Sequence, residues 1–462
     1  MILTNLRILK NGKLRDVTIL IRDGIIDKLI ISDSSAKITE LREKYKNENI
    51  IDCLGKIAIP GIIDIHSHLR DLHQSDKETF LTGTNAAAFS GITTVFNMPN
   101  TKPPANTVEN VQKWMDYAEN SLYIDVYFIA GIPDGINIIE IENILKLGVI
   151  GFKIYPHSPI CNVDWMNPEN FKKILEISSK YNTHIFIHAE WPIDQNEKEK
   201  IKKNYFSEGY TILKYHSNLH PPKSEAKFVS YALENYKFFI LDKNLKKKEF
   251  PSLHFCHISC EESYKLLREF KGQNPDFKIS FEVTPHHLLL SNEIILNNFN
   301  FGKVLPPLRD KSSQKFLYNE LRSKNIQFIG TDHAPHTLKE KDLPFNSAPS
   351  GFPGFETYPL TMLNKVCQYD LSLENFIRIS SWNPSIRFNL KEKGLIEEGY
   401  EANLLIIDKI SEYSISSETF KSKAKFSPFE GFKTFVQIWK VFLRGKQINV
   451  KNKSPMGRIM VV

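Results

Sequence analysis

Short apolar runs recur through the middle of the chain, with polar segments of helical pattern between them. Eight such runs predict strands, in the order "IIDIHSH", "ITTVFNM", "DVYFIAG", "VIGFKIY", "HIFIHAE", "LHFCHIS", "KISFEVT" and "IQFIGTD". Most of the intervening segments are long enough for a helix, as "NPENFKKILEISSKY" is. A succession of strand–helix units of this kind indicates a parallel (β/α)₈ barrel.

Both ends of the chain have a different pattern, which is typical of hairpins. The strand-like segments "LTNLRILK" and "RDVTILIRDG" meet at Asn11-Gly12, and "IIDKLIIS" follows Asp23-Gly24. Such pairs favour tight turns because both residues tolerate positive φ. The segments "YEANLLIID" and "TFVQIWKVFLRGKQINV" near the other end are also strand-like. We therefore predict an α/β protein with a TIM-like barrel at residues 56–389 and a small β-sandwich domain built from both termini, residues 1–55 and 390–462.

Composition narrows the class of protein without changing this picture. The 462 residues include 60 Lys plus Arg and 53 Asp plus Glu, a formal charge of +7 that is spread along the chain. The basic cluster Lys243–Glu249 has no interleaved aromatic residue, so we predict no nucleic-acid partner. No apolar run approaches the about 18 residues of a membrane span, and the first residues lack the apolar core of a signal peptide. We therefore predict no membrane partner.

The cysteines point to a reducing compartment. There are five, an odd number, and they are scattered along the chain. This pattern argues against a disulfide framework, which oxidising compartments favour. We therefore expect a cytoplasmic protein.

Polar residues of a few types stand at the ends of the predicted strands. They are His66 and His68 after the first strand, Asn100 after the second, Lys153 in the fourth, His188 after the fifth, His257 after the sixth and Asp332 after the eighth. The carboxyl ends of barrel strands meet at one mouth, where these barrels have their active sites. Imidazole and carboxylate are the usual ligands of zinc-like ions. The pattern predicts a two-metal site, which can activate water and polarise a carbonyl.

Lys153 needs a separate interpretation because an ammonium group is a poor metal ligand. Its apolar surroundings, "GVIGFKIY", favour the neutral amine. A neutral amine reacts with carbon dioxide, and the resulting carbamate presents a carboxylate that can bridge two ions. Taken alone, Lys153 is better explained as an ordinary ion-pair partner.

The other histidines receive a plainer interpretation. A single histidine near a strand is more often a hydrogen-bonded structural residue than a ligand. We predict structural roles for His184, His216, His220 and His254, expect supporting or structural roles for His286 and His287, and leave His73 and His157 open.

Several motifs together resemble the dihydroorotases, which are cyclic amidohydrolases of the amidohydrolase superfamily. In chain order these motifs are "DIHSHLRD", "FNMPNTKPP", "GFKIY", "IHAE", "HFCHIS", "EVTPHHLLLS" and "GTDHAPHTLKEKDLPFNSAPSGFPGFET". The resemblance extends from about Asn5 to Gly445. The paired histidines are shared across the superfamily, whereas "GTDHAPH" followed by "APSGFPGFET" is more specific. The resemblance implies reversible cyclisation of N-carbamoyl-L-aspartate to L-dihydroorotate and water, a step of pyrimidine biosynthesis.

The resemblance also implies a role for each matching residue. His66 and His68 are expected to bind one divalent ion, His188 and His257 a second, with carbamylated Lys153 as the bridge and zinc as the expected metal. Asp332 is expected to contact a metal and to shuttle the proton. Arg70, Asn100 and His336 match the residues that hold the substrate carboxylate, and Ser350 and Gly351 match a backbone contact to the ring. The planar fork of an arginine suits a carboxylate.

Two positions depart from the family pattern, and one loop is open to two interpretations. Leu305 stands where many relatives carry a polar residue, and His73 stands where a small residue is common. The loop Pro156–Pro168 is equally compatible with a lid over the substrate and with a static connection.

Two other functions remain as alternatives. The first is another cyclic amidohydrolase, such as a dihydropyrimidinase, hydantoinase or allantoinase. Residues that bind a carboxylate would, however, serve no purpose for a neutral ring. The second is a non-catalytic scaffold of the same fold, which needs no complete set of ligands. The sequence leaves the oligomeric state open, a homodimer included, and gives no support for association with other pyrimidine enzymes.

Overall fold

The computed structural model describes residues 1–31, 48–158, 160–208, 211–448 and 455–462. Its strands are β1 (Ile2–Lys10), β2 (Lys13–Arg22), β3 (Ile25–Ile31), β4 (Ile50–Pro60), β5 (Ile62–Ser67), β6 (Ile92–Asn97), β7 (Asp125–Gly131), β8 (Gly151–Ile154), β9 (His184–Ile187), β10 (Ser252–Phe255), β11 (Ile279–Phe281), β12 (Leu404–Ser414), β13 (Lys433–Leu443), β14 (Lys446–Gln447) and β15 (Ile459–Met460).

The described α-helices lie mostly between the central strands. They are α1 (Phe80–Phe89), α2 (Val108–Ala118), α3 (Ile138–Lys146), α4 (Pro168–Tyr181), α5 (Gln195–Glu208), α6 (Ile212–Leu219), α7 (Pro222–Asp242), α8 (Glu261–Gln273), α9 (Pro285–Leu289), α10 (Lys311–Arg322), α11 (Leu338–Lys341), α12 (Tyr358–Cys367), α13 (Leu373–Ile377) and α14 (Asn383–Arg387). None of the helices in these ranges is both long enough and apolar enough to cross a lipid bilayer.

The central strands form the predicted barrel. Strands β5 to β11 pair in parallel, and their order in space is their order in the chain. Two isolated parallel bridges, Val283 with Ile329 and Ser67 with His333, close the ring between β11 and β5. The (β/α)₈ fold is therefore confirmed, but the eighth predicted strand, "IQFIGTD", contributes two bridges and no regular ladder.

The eighth segment is closely packed against its neighbours and departs from the extended conformation at Asp332. A Cβ at Gly330 would lie 2.8 Å from Oε2 of Glu282 and 2.9 Å from Cβ of His66. Asp332 then takes a positive φ of 51°, which breaks the extended conformation. Asp64 ties the segment to β5, since its carboxylate accepts hydrogen bonds from the backbone and the hydroxyl of Thr331. The break turns the side chain of Asp332 toward the barrel mouth.

Helix α4 shows how the sequence sets the layer outside the barrel. It begins at Asn167, whose side chain caps the first turn, and a proline occupies the first helical position. It ends at Asn182, which adopts the left-handed conformation. Phe171 and Leu175 lie on its buried face and pack into the core around the barrel.

The two ends of the chain build the second unit that the sequence predicted. Its strands form one sheet in the order β14-β13-β12-β4-β1-β2-β3, and the sheet surrounds its own apolar core. The sheet curls on itself, because the amide of Ala402 donates to the carbonyl of Gly24 and Ile25 bridges Glu401. Strand β15 instead pairs with β7 of the barrel. The boundaries at residues 55/56 and 389/390 stay a prediction, and residues 449–454 of this unit lie outside the described residues.

A buried ion cluster joins the two units at the bottom of the barrel. Asp125 is fully buried at the start of β7, and its carboxylate accepts hydrogen bonds from Lys393 Nζ at 2.8 Å and Arg444 Nη1 at 2.7 Å. The backbone amide of Arg458, just before β15, donates to the same carboxylate at 3.1 Å. One side chain therefore holds three separate segments of the chain.

Asp125→Ala is expected to lower the free energy of unfolding by about 3 kcal/mol, because it removes the buried carboxylate that Lys393 and Arg444 share and leaves Lys393 with Glu401 as its remaining carboxylate partner. Urea unfolding of the full chain measures the loss. Glu397→Ala is the matched control, since it removes a carboxylate from the exposed pair with Lys10 at 3.2 Å and should cost less than about 1 kcal/mol. Equal losses in the two variants would contradict the role given to Asp125.

Candidate active site

The carboxyl ends of the barrel strands surround an open cavity of about 420 Å³. A cavity of this size fits a small molecule. Of the residues predicted from the sequence, the lining contains His66, His68, Arg70, Asn100, His188, His257, Asp332, Ser350 and Gly351. Lys153 and His336 lie behind this lining, against residues that belong to it.

The first pair of histidines faces Asp332. Nε2 of His66 lies 3.3 Å from Oδ1 of Asp332, and Nε2 of His68 lies 3.0 Å from the same oxygen. The opposite ring nitrogens are held from behind, His66 Nδ1 by Glu282 at 2.5 Å and His68 Nδ1 by Asn100 Oδ1 at 2.5 Å. Such outer partners fix the orientation and tautomer of metal-binding histidines.

The second pair of histidines comes from neighbouring strands. Nδ1 of His188 lies 3.0 Å from Nε2 of His257, so the two rings point at one place. Nε2 of His188 is held at 3.1 Å by Oε2 of Glu190. Two imidazole nitrogens that converge in this way match the donor set of a single cation.

Lys153 is buried close to both pairs. Its Nζ donates to Sγ of Cys256 at 2.8 Å and lies 5.2 Å from the ring centre of Tyr155. Within the described ranges no carboxylate lies at ion-pair distance from Lys153, so these contacts do not favour the ordinary ion-pair explanation.

Burial also decides the charge of the histidines. Removal from water holds the pKa of His66 and of His257 well below the usual value, and it lowers the pKa of His68. Nearby positive charge from Lys153 acts in the same direction on His66 and His257. The three imidazoles are therefore neutral, which is the form that binds metal ions.

A cationic wall stands beside the histidines. Arg70, held in a positive φ of 59°, donates from Nε to the carbonyl of Pro335 at 3.3 Å. Nδ1 of His336 lies 3.2 Å from Nζ of Lys77. Its Nε2 lies 3.0 Å from the Ser350 carbonyl and 3.3 Å from Nη2 of Arg70. Burial lowers the pKa of His336 to about 3, which leaves it neutral. Arg70 thus supplies the positive charge of this wall, because Lys77 is paired with the carboxylate of Glu340 at 2.7 Å and does not line the cavity.

Three groups of described side chains have the geometry to hold a metal ion. In each group, one ligand atom per residue lies within 4.8 Å of the others. The groups are His66–His68–Asp332, His66–Cys256–Glu282 and His157–Glu190–His220. The first unites three residues that the sequence singled out as ligands, while the other two contain acidic residues that it did not single out.

The missed acidic residues had a signal in the sequence. Glu282 directly follows β11, where the strand-end argument applied to the histidines also places it in the mouth. Glu190 stands two residues after His188, on the same side of an extended chain. Tyr155 was also missed, although its ring lies in the cavity lining. Its hydroxyl is buried without a hydrogen-bond partner among the described residues.

The remaining histidines lie in several environments. Four of them have hydrogen-bond partners: His184 bonds Ser252, His254 bonds Ser280 and Glu282, His216 bonds the Val304 carbonyl, and His287 bonds Thr284 and the Pro306 carbonyl. His286 is buried against Phe352, and His73 is exposed. His220 lies 2.5 Å from Glu190 and therefore belongs to the third metal-capable group, although we predicted a structural role for it.

The loop Pro156–Pro168 borders the cavity with one half and the core with the other. His157, Ser158 and Ile160 line the cavity, and Trp165 is buried in the core. Leu305 also lines the cavity. Residue 159 lies outside the described residues, and the choice between a lid and a static loop stays open.

Comparison with known proteins identifies relatives along nearly the whole chain. Residues 57–448 match the amidohydrolase family. A dihydroorotase of Methanosarcina acetivorans is 34% identical over 437 residues, which cover 92% of this chain and 87% of that protein. A dihydroorotase of Pyrococcus abyssi is 33% identical over 453 residues, which cover 98% of this chain and 95% of the relative.

Solved structures agree with the fold. An L-hydantoinase (dihydropyrimidinase) from Arthrobacter aurescens superimposes with a TM-score of 0.82 at 23% identity, over 100% of this chain and 97% of that one. A dihydropyrimidinase from Brevibacillus agri gives 0.82 at 23% identity, over 99% and 98% of the two chains. At this identity the likeness establishes architecture alone. Taken with the family match, it means that the chain belongs to the amidohydrolase family and is a hydrolase.

Proposed function

We propose that this hydrolase acts on a cyclic amide as a dihydroorotase, closing N-carbamoyl-L-aspartate to L-dihydroorotate and water in pyrimidine biosynthesis and catalysing the reverse reaction. The observation that supports this most is the cationic wall formed by Arg70, which lines the cavity together with the converging histidines. An acidic ring needs such a wall, whereas a neutral ring does not. Similarity to dihydroorotases over nearly the whole chain supports the same substrate.

We further propose that the site holds two divalent ions, with zinc as the expected metal. His66 and His68 would hold one, His188 and His257 the other, and Asp332 would contact the first. Carbamylated Lys153 would stand between them, since its buried amine lies close to both pairs. When bound, such a pair of ions polarises a carbonyl and lowers the pKa of water.

The side chains have separate tasks in the proposed reaction. Arg70 offers a planar donor fork to the substrate carboxylate. The Oδ1 atom of Asn100 is engaged by His68, so the amide nitrogen of Asn100 is the group left to donate to substrate. Asp332, with an oxygen 3.0 Å from His68, would take a proton from attacking water and pass it to the leaving nitrogen.

The backbone near Gly351 supplies an acceptor to the ring. The Gly351 amide donates to the carbonyl of Lys303 and is therefore already engaged. The Ser350 carbonyl accepts one hydrogen bond from His336 and retains a second lone pair for a ring N–H. This supports the backbone contact implied for Ser350, whereas the contact implied for Gly351 would have to avoid its engaged amide.

Turnover of a panel of cyclic amides tests the proposed function. We expect the zinc-loaded protein to prefer L-dihydroorotate over dihydrouracil, hydantoin and allantoin by at least about 100-fold in kcat/KM, since one buried charged hydrogen bond can supply that much discrimination. A preference for any neutral ring would replace the proposal with a hydantoinase-type activity. A metal-supplemented protein that turns over none of them would favour the non-catalytic scaffold.

We also place the enzyme in the cytoplasm. All five cysteines are free thiols, and four of them are buried. Free thiols suit a reducing compartment.

A further inference from the structure

Two buried lysines lie together near one side of the cavity. Lys303 follows a turn of 3-10 helix, Phe299–Gly302, and Lys341 is the last residue of α11. Lys341 is fully buried, and Lys303 is 8% exposed. Among the residues that the structure describes, neither lysine has a carboxylate within ion-pair distance. Buried cations without an anionic partner are costly and therefore call for an explanation.

Both ammonium groups bond to backbone carbonyls of one segment, residues 345–349. Nζ of Lys303 donates to the carbonyls of Phe345 and Ala348, each at 2.6 Å. Nζ of Lys341 donates to the carbonyl of Pro349 at 2.8 Å and to that of Asn300 at 2.9 Å. Three carbonyls within five residues are thus held by the side chains of two buried lysines.

This segment leads directly into the cavity wall. The next two residues, Ser350 and Gly351, line the cavity. The Gly351 amide donates to the carbonyl of Lys303 at 2.9 Å, so Lys303 is hydrogen-bonded to the segment through both its side chain and its backbone. Gly351 has a φ of 125°, and a Cβ there would lie 2.6 Å from the carbonyl oxygen of Ala334. The wall therefore has little freedom to move once the lysines are in place.

The charges around Lys341 are mostly positive. Lys303, Arg70 and Lys77 act on it from three different parts of the fold, and Glu340 is the nearby anion. Burial is the main cause that lowers the pKa of Lys341 to about 7. A ligand with negative charge in the adjacent cavity would offset this accumulation of positive charge, and a ligand with two negative charges would offset more of it.

We propose that Lys303 and Lys341 are positioning residues that fix the wall segment 345–351 and bias the cavity toward a dianionic ligand. The inference rests on the proposed function, in which the open-chain substrate carries two carboxylates and the ring carries one. It predicts that the lysines affect binding of N-carbamoyl-L-aspartate more than binding of L-dihydroorotate.

Binding of a dianion is expected to be coupled to protonation of Lys341. A dianion in the cavity stabilises the charged form of Lys341, so its pKa rises when the ligand binds. At about pH 8 the free enzyme has Lys341 largely neutral, and binding therefore takes up a proton. Affinity for the dianion should fall as the pH rises through the pKa of the free enzyme.

Lys341→Met and Lys303→Met test the inference in the metal-loaded full chain. We expect KM for N-carbamoyl-L-aspartate to rise about tenfold or more, with a smaller change for L-dihydroorotate. In Lys341→Met, the pH dependence of that KM between about pH 6 and 9 should flatten. Lys339→Met is the matched control, because Lys339 is exposed on the same short helix, and it should leave both KM values unchanged.

Calorimetry of N-carbamoyl-L-aspartate binding in two buffers of different ionisation enthalpy measures the proton directly. Uptake at about pH 8 that is lost in Lys341→Met would support the inference. Unchanged KM values in both variants, or wild-type protein that takes up no proton, would overturn it while leaving dihydroorotate turnover intact. Wild-type protein that does not turn over L-dihydroorotate would instead overturn the proposed function. The wild-type measurement stands even if a variant fails to fold.

Discussion

Lys153→Ala is expected to lose bound metal and activity together. If the carbamate of Lys153 is the group that joins the two ions, its removal leaves four imidazoles and one carboxylate for two divalent cations. A metal pair contributes several kcal/mol to the stabilisation of the transition state, so kcat/KM should fall by about 10³- to 10⁵-fold. Metal analysis of the purified variant and steady-state kinetics measure the two losses.

Chemical rescue separates this role of Lys153 from a packing role. A short carboxylic acid such as propionate fits the space vacated by the side chain and restores a bridging carboxylate, so it should recover part of the metal content and activity of Lys153→Ala. Lys153→Met is the matched control, because it fills the space and leaves no room for the acid. A Lys153→Ala protein that retains two ions and normal turnover would exclude the bridge.

Arg70→Met is expected to keep the metal but to weaken binding of the acidic ring. Loss of a charged donor to a carboxylate in a desolvated site costs about 2–4 kcal/mol, so kcat/KM for L-dihydroorotate should fall by about 30- to 900-fold. Turnover of dihydrouracil, however slow, should change little, because that ring has no carboxylate for Arg70 to hold.

Lys102→Met is the matched control for Arg70. Lys102 lies at the exposed edge of the same cavity, so its charge is screened by solvent and its loss should change kcat/KM by less than about threefold. Unchanged affinity for L-dihydroorotate in Arg70→Met would show that Arg70 does not bind the substrate carboxylate. An equal loss of kcat/KM in Arg70→Met and Lys102→Met would show the same.

The barrel could be predicted from the sequence because apolar runs and strand ends are local signals. Seven of the predicted runs become β5 to β11, and the histidines that follow them meet as the barrel geometry requires. The eighth segment does not form a regular strand: Asp332 has a positive φ, and Thr331 is bonded by Asp64, which is distant in the chain. A local pattern contains no information about such contacts.

The supporting residues of the site were harder to predict for the same reason. Lys341 stands in "TLKEKD", a segment that is typical of an exposed helix, and nothing local distinguishes it from Lys339. Only the tertiary structure shows that one lysine is buried against carbonyls while the other faces solvent. Glu282 is the opposite case. Its position directly after β11 could be read from the sequence, yet it was not among the predicted ligands.

The seam between β11 and β5 has a consequence for how the protein assembles. His68 and Asp332 face each other across it at 3.0 Å, although they are 264 positions apart in the chain. Their meeting requires the whole ring of strands to be in place, and a ready-made metal site rarely exists before folding. An ion shared by these two residues would therefore bind last. It would stabilise the closed barrel, which has to form before the ion can bind.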